Sequence, residues 1–307
     1  MIPYHGGECI AYHEDIGRVS METVLRSTEA TVIIGPKRPT VVIGERINPT
    51  GKKRLAEALV SGDLSVVRKE AIAQVEAGAD VLDINVGTEG VNEVALLPQA
   101  VRAVMETVDV PLAIDTSDSE ALAEALTVYR ELAPEGKPLV NSVTGEEARL
   151  AALLPLVKEH GAAVIGLCMG DEGVPPTSEQ RVEIARKIVE RAEALGIPRM
   201  DVVIDCLAMA VAADDRAGQV TLETIHMVRE ELGVNMTVGA SNTSFGLPER
   251  QTIDRAFLAM AILAGVNCPI GDVTKVRPAV LAADLLGGRD AYATRYIEDY
   301  RQRAQGR

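Results

Sequence analysis

Six polar residues in this chain each follow a short apolar run. Asp83 closes the run 79–83 (ADVLD), Asp115 closes 111–115 (PLAID), Asn141 closes 138–141 (PLVN) and Asp205 closes 201–205 (DVVID). Glu45 follows TVVIG at 40–44, and Asn242 follows MTVGAS at 236–241. A strand buried on both faces gains nothing from ending in a carboxylate or amide unless that group faces a site, because an unpaired polar group is costly to bury. Ionised carboxylates only accept hydrogen bonds, whereas amides both accept and donate. The set therefore reads as a ring of acceptors around one pocket.

The elements that must position this ring alternate. Strands are expected near 40–45, 80–85, 111–115, 138–141, 162–168, 201–205, 236–241 and 265–270. Helices are expected near 52–60, 64–78, 91–107, 118–131, 146–159, 178–195, 220–232, 249–264 and 277–302. Apolar residues at helical spacing, as in Val67, Ile72 and Val75, support this reading. Ser117 to Glu120 and Thr177 to Glu179 supply N-cap oxygens, and Gly78 and Gly161 sit where helices should stop. Eight strands with interleaved helices predict an α/β protein, a (β/α)8 TIM barrel, in preference to an open doubly wound sheet. Parallel strands then bring their C-terminal ends to one face. Residues 1–38 show no clear period and are expected to form an N-terminal extension packing on the barrel, which would span 39–307.

Composition narrows the function. The chain has 307 residues, 47% of them apolar, with no Trp and two Phe, so its core is aliphatic. A formal charge of −14 disfavours nucleic acid and anionic membrane surfaces as partners. The N-terminus lacks the pattern of a signal peptide, and Ala256 to Gly271 is too short an uncharged stretch to span a membrane. Cys9, Cys168, Cys206 and Cys268 form no C-x-x-C pair and fit a reducing, cytoplasmic location. There is no Walker loop, no dinucleotide fingerprint and no nucleophile elbow. The histidines at 5, 13, 160 and 226 lie away from strand ends, so no metal site is expected, with a carboxylate-only centre as the minor alternative.

Few cations sit at the strand ends. The ring suits a neutral ligand with several N–H groups along one edge, bound through charge-assisted hydrogen bonds. A pterin, with its 2-amino group, N3–H and N8–H, is such a ligand. The competing reading is helix capping by the same residues, which fits any one of them better than it fits all six.

The motifs GERINPTG (44–51), LDINVG (82–87), IDTS (114–117), VNS (140–142), GAAVIG (161–166) and GASNTS (239–244) occur in an order that resembles the pterin-binding methyltransferases. These include methyltetrahydrofolate:corrinoid protein methyltransferases and the folate domain of cobalamin-dependent methionine synthase. The resemblance covers about residues 40–290 and implies a methyl transfer between N5 of tetrahydrofolate and the cobalt of a corrinoid. It places pterin contacts on Asp115, Asn141 and Asp205 and the N5 contact, the catalytic one, on Asn242. Asp83 and Asn85 match a strand-end motif of the family and, with Glu45, are expected to shape the floor. Cys206 departs from the Pro that the family usually has after this aspartate. The chain lacks a cobalamin motif, so cobalamin is expected on a separate corrinoid protein docking at the C-terminal face, with tetrahydrofolate or 5-methyltetrahydrofolate as substrate. A homodimer is implied, and the nearly apolar helix 249–264 offers a face for it. Alternatives are a dihydropteroate synthase-type enzyme, a tetrahydromethanopterin-dependent methyltransferase and a non-catalytic pterin-binding subunit. Lys52, Lys53 and Arg54 would serve the diphosphate of the first, or simply open an exposed helix.

Overall fold

The computed structural model describes residues 21–305. The first twenty residues of the expected extension, with His5, Cys9 and His13, lie outside the described residues.

A short hairpin, β1 (Thr23–Arg26) and β2 (Thr31–Ile34), precedes the barrel. The barrel strands are β3 (Ile43–Ile47), β4 (Val81–Ile84), β5 (Leu112–Asp115), β6 (Leu139–Thr144), β7 (Ala163–Leu167), β8 (Val202–Asp205), β9 (Asn235–Thr237) and β10 (Ile270–Gly271). They are parallel, in the order β10-β3-β4-β5-β6-β7-β8-β9. Closure rests on few bonds: Gly239 bridges Ile270 in parallel, the Ile270 N–H donates to Val238 O at 3.0 Å and the Ala240 N–H donates to Ile270 O at 2.8 Å. The fold is the expected (β/α)8 barrel.

The helices are α1 (Lys53–Val60), α2 (Ser65–Glu76), α3 (Glu93–Met105), α4 (Ser119–Leu132), α5 (Glu147–His160), α6 (Ser178–Ala194), α7 (Ala217–Glu231), α8 (Arg250–Ala264), α9 (Val273–Leu286) and α10 (Thr294–Gln305). The caps work as the sequence suggests. Asp118 accepts from the Glu120 and Ala121 N–H groups, and the Thr177 hydroxyl accepts from Gln180. Gly161 ends α5 with φ +62°, a left-handed conformation that favours glycine. The single helix expected over 277–302 is two helices. Asp290 ends the connection between them by accepting the Arg295 and Tyr296 N–H groups at 3.0 Å each.

The strand period of two decides what faces the barrel axis. Ile43, Val81, Ala113, Leu139, Ala163, Ile165 and Val203 form one apolar cluster inside the barrel, together with Val41 and Cys268. Leu25 and Ile34 of the hairpin join the same cluster, so the hairpin plugs the end where the strands begin. Asn235, at the start of β9, fastens it: its amide faces Met21 O, Thr23 Oγ1 and Ile34 O. The alternate strand residues, such as Leu82, Ile114, Val140 and Ile204, pack outward against the helices.

Candidate active site

Two residues beyond each inward-facing apolar residue comes the next inward position. On β3, β4, β5, β6 and β8 these are Glu45, Asp83, Asp115, Asn141 and Asp205. The barrel register brings Asp115 beside Asn141, whereas the neighbour of Asp205 on β7 is Leu167. One layer above the apolar core the barrel interior is thus polar on most sides.

Hydrogen bonds knit this layer together. The Asn141 amide donates to Asp83 Oδ1 at 2.9 Å, and the Asn85 amide donates to Asp115 Oδ2 at 3.0 Å. Asn85 Oδ1 accepts from the Gly87 N–H, which fixes the amide flip that Asp115 needs. Asp205 Oδ1 accepts from the Leu207 N–H at 2.8 Å. Each carboxylate keeps acceptor capacity beyond these bonds.

Burial makes the charges expensive. Desolvation, reinforced by Asp115, raises the pKa of Asp83 well above the ordinary carboxylate value, against the hydrogen bond from Asn141. Desolvation also lifts Asp115 to about 6, against the Asn85 bond, and lifts Asp205 to about 6, against the Leu207 N–H and the Arg181 charge. Glu45 is raised by desolvation, with the Lys52 ammonium opposing. Lys52 is half-buried and donates to Asn48 O at 3.0 Å and Glu45 O at 3.4 Å, whereas Lys53 and Arg54 are exposed. The site stores carboxylates that a ligand with N–H donors would help to ionise.

Asn242 stands apart from the ring. Strand β9 ends at Thr237, so Asn242 lies in the loop after it rather than at a strand end, and its side chain is exposed. That side chain folds over Gly239, where an added Cβ would lie 2.6 Å from the amide nitrogen. Phe245 and Met209, 67% and 40% exposed, occupy the loops after β9 and β8, and the Arg250 guanidinium lies 5.7 Å from the Phe245 ring centre. The loop pair Asp171 and Glu172 is exposed.

Beside the ring opens a cleft of about 770 Å³ between the loops that follow β3, β9 and β10. Glu45 and Ser241 line its barrel side, and Lys52, Arg250, Arg255 and Lys275 bring cations to it. Asp272 pairs there with Lys275 at 3.0 Å and with Arg46 at 3.7 Å. Lys52, Arg250 and Arg255 make no ion pair among the described residues. The strand-end pattern does not reveal this cleft, because its cations other than Arg46 of β3 come from loops and helices. Among the described residues no group of three or more His, Cys, Asp or Glu side chains is arranged to hold a metal ion. No helix among them is long and apolar enough to cross a membrane.

The burial of Asp83 has a measurable cost. A carboxyl that binds its proton more tightly when folded than when unfolded removes stability as pH rises above the unfolded pKa, and the loss is complete above the folded value. Asp83→Asn keeps an acceptor for Asn141 and carries no charge. It is expected to raise the Tm at pH 8 by about 2 °C, with a smaller gain at pH 5. Calorimetric melts at the two pH values check this, and an equal drop at both would refute it.

Over residues 44–270 the chain matches the family described as pterin binding enzyme. A methylcorrinoid:tetrahydrofolate methyltransferase from Eubacterium limosum is 31% identical over 271 residues, covering 85% of this chain and 96% of that protein. A methionine synthase from Mycobacterium leprae is 30% identical over 273 residues, 85% of this chain but 22% of that longer protein. Among solved structures, dihydropteroate synthase from Xanthomonas albilineans in complex with 7,8-dihydropteroate superposes with a TM-score of 0.58 at 22% identity, over 83% of this chain and 95% of that one. Dihydropteroate synthase from Yersinia pestis gives 0.63 at 18% identity, over 86% and 98%. These structural likenesses show the shared barrel. With its family match spanning most of the barrel and a relative aligned almost end to end, the chain belongs to the pterin-binding enzymes.

Proposed function

We propose that the protein is a methyltransferase that moves a methyl group between N5 of tetrahydrofolate and the cobalt of a corrinoid carried by another protein. The observation that carries the reading is the inward layer of Asp83, Asp115, Asn141 and Asp205, with Asn242 on a loop above it. Asp115, Asn141 and Asp205 grip the donor edge of the pterin and fix its orientation, which lowers the entropic part of the barrier. Asp83 holds Asn141, Asn85 holds Asp115, and Glu45 closes the floor on the side of Lys52.

A tertiary amine is a poor leaving group. As the methyl departs, the C–N electron pair stays on N5, and a proton there makes N5 the better leaving group. In that direction the Asn242 carbonyl accepts from the proton that N5 gains, a donor that neutral 5-methyltetrahydrofolate lacks. In the reverse direction it accepts from the N5–H of tetrahydrofolate, and the contact strengthens as attack on the methyl group puts positive charge on N5. The corrinoid partner supplies cobalt as the methyl carrier. The residues fit such a partner: Asn242 is exposed at the mouth, with apolar Phe245 and Met209 on neighbouring loops. The likeness to a methylcorrinoid:tetrahydrofolate methyltransferase along nearly its whole length favours this reaction over the synthase chemistry. On α8, Phe257, Leu258 and Ile262 are buried, whereas Met260 and Leu263 are exposed and offer a face to a second copy.

The test is to mix the protein with methylcobalamin and tetrahydrofolate and follow loss of the methyl–cobalt absorption band, repeating it with a methylated corrinoid protein. Formation of 5-methyltetrahydrofolate supports the reading; no methyl loss with either donor refutes it. Release of diphosphate from a dihydropterin diphosphate and 4-aminobenzoate would replace it with the synthase.

The cleft beside the ring fits the aminobenzoyl-glutamate tail, whose carboxylates would meet Lys52, Arg250 and Arg255. Arg255→Ala is expected to raise KM for a triglutamyl folate about threefold, with less effect on the monoglutamate, as an exposed ion pair contributes up to about 1 kcal/mol. Steady-state kinetics with the two substrates checks this, and equal effects would refute it.

A further inference from the structure

A buried guanidinium stands behind Asp205. Leu207 has φ +56°, a backbone conformation uncommon outside glycine. Its N–H donates to Asp205 Oδ1 at 2.8 Å. Its carbonyl receives Arg181 Nη1 at 3.0 Å and Thr221 Oγ1 at 3.1 Å. Arg181 Nη1 also reaches Cys206 O at 3.3 Å, and its Nε donates to Pro175 O at 3.0 Å. Arg181 thus ties the loop after β7 to the turn after β8.

Arg181 is 3% exposed and makes no ion pair among the described residues. A guanidinium withdrawn from water and bonded only to carbonyls is costly. A loop staple alone has no need of a full charge. Asp205, at the far end of the turn that Arg181 grips, does.

We propose that Arg181 is a positioning residue for Asp205, aiming the carboxylate into the site through the 206–207 turn and keeping a positive charge behind it. The proposal rests on the reading of Asp205 as a pterin contact. Thr221 is the neutral half of the clamp and Arg181 the charged half. The clamp passes through Cys206, the position where the family usually has Pro. The ionisable groups near enough to interact electrostatically with Asp205 are Arg181 from α6 and the thiols of Cys206 and Cys268; Cys168 and Asp214 likewise interact with the guanidinium. Of these, Arg181 is the group that favours an ionised Asp205.

The test is calorimetric binding of 5-methyltetrahydrofolate to the full chain, in wild type, Arg181→Met, Arg181→Lys, Thr221→Val and Asp205→Asn, and in each clamp variant combined with Asp205→Asn. Arg181→Met is expected to weaken binding about tenfold, Thr221→Val about threefold, and Arg181→Lys to restore part of the loss. Combined with Asp205→Asn, none of the three clamp variants should add a further loss. Arg181→Met should also move the acid limb of binding to higher pH, because losing the cation raises the Asp205 pKa, whereas Thr221→Val should leave that limb in place. Additive losses in the double variants would overturn the clamp and leave the pterin contact standing. Normal binding by Asp205→Asn alone would overturn both. If Arg181→Met does not fold, the Thr221→Val and Asp205→Asn pair decides.

Discussion

Asn242→Ala is expected to lower kcat on the order of a hundredfold while folate affinity stays within about tenfold. The size is that of one lost contact to a charge developing in the transition state. The asymmetry follows from the geometry. Asn242 sits on an exposed loop, outside the inward layer formed by the strand ends, so ring recognition survives its loss. Its contact is made to the nitrogen whose charge changes, so the loss falls on the chemical step. Gly239→Ala offers an independent check. A Cβ at that position would meet the Asn242 amide nitrogen at 2.6 Å and push the side chain aside without altering its chemistry. Both variants should show the same pattern in single-turnover kinetics combined with calorimetry. An unchanged rate for Asn242→Ala would remove it from the reaction.

The barrel and its polar layer were legible because two periodicities coincide. A strand alternates its side chains, and a parallel β/α repeat gathers strand ends at one face, so a polar residue two positions after an inward-facing apolar one must point into the mouth. Asp83, Asp115, Asn141 and Asp205 all obey this. Asn242 does not: it follows the apolar run 236–241, but the chain leaves strand geometry after Thr237, and its role at N5 comes from the family resemblance alone. The hairpin at 23–34 was hidden because each strand has four residues and its apolar members complete a core supplied by distant strands. The break between α9 and α10 depends on Asp290 accepting two backbone N–H groups, which helical periodicity does not register. Arg181 leaves a trace in the sequence. It lies on the same helical stripe as Ala185, Ile188 and Ala192, all buried, where a charge has no ordinary reason to be.

Asp115→Asn and Asp205→Asn should each weaken 5-methyltetrahydrofolate binding by roughly 10- to 100-fold at pH 7.5, the range of a hydrogen bond to a charged group. An amide of the same shape loses the charge and leaves the pterin N–H donors with a weaker acceptor. The pH dependence separates this from simple misfolding. Both carboxyls have a pKa of about 6 in the free protein, because burial penalises their ionised forms. Binding to N–H donors requires those ionised forms, so below pH 6 protons compete with the ligand. Each carboxyl then costs about tenfold in affinity per pH unit, and two of them give a limiting slope near two. Each single variant removes one titrating group, so its slope should fall by about one while its affinity at pH 5 approaches that of the wild type. The crossing of scale is the signature: a large difference at pH 7.5 that narrows as the pH drops. A constant difference across the range would mean that the carboxylate charge plays no part in holding the pterin, and normal affinity in both variants would mean that the ring does not bind it.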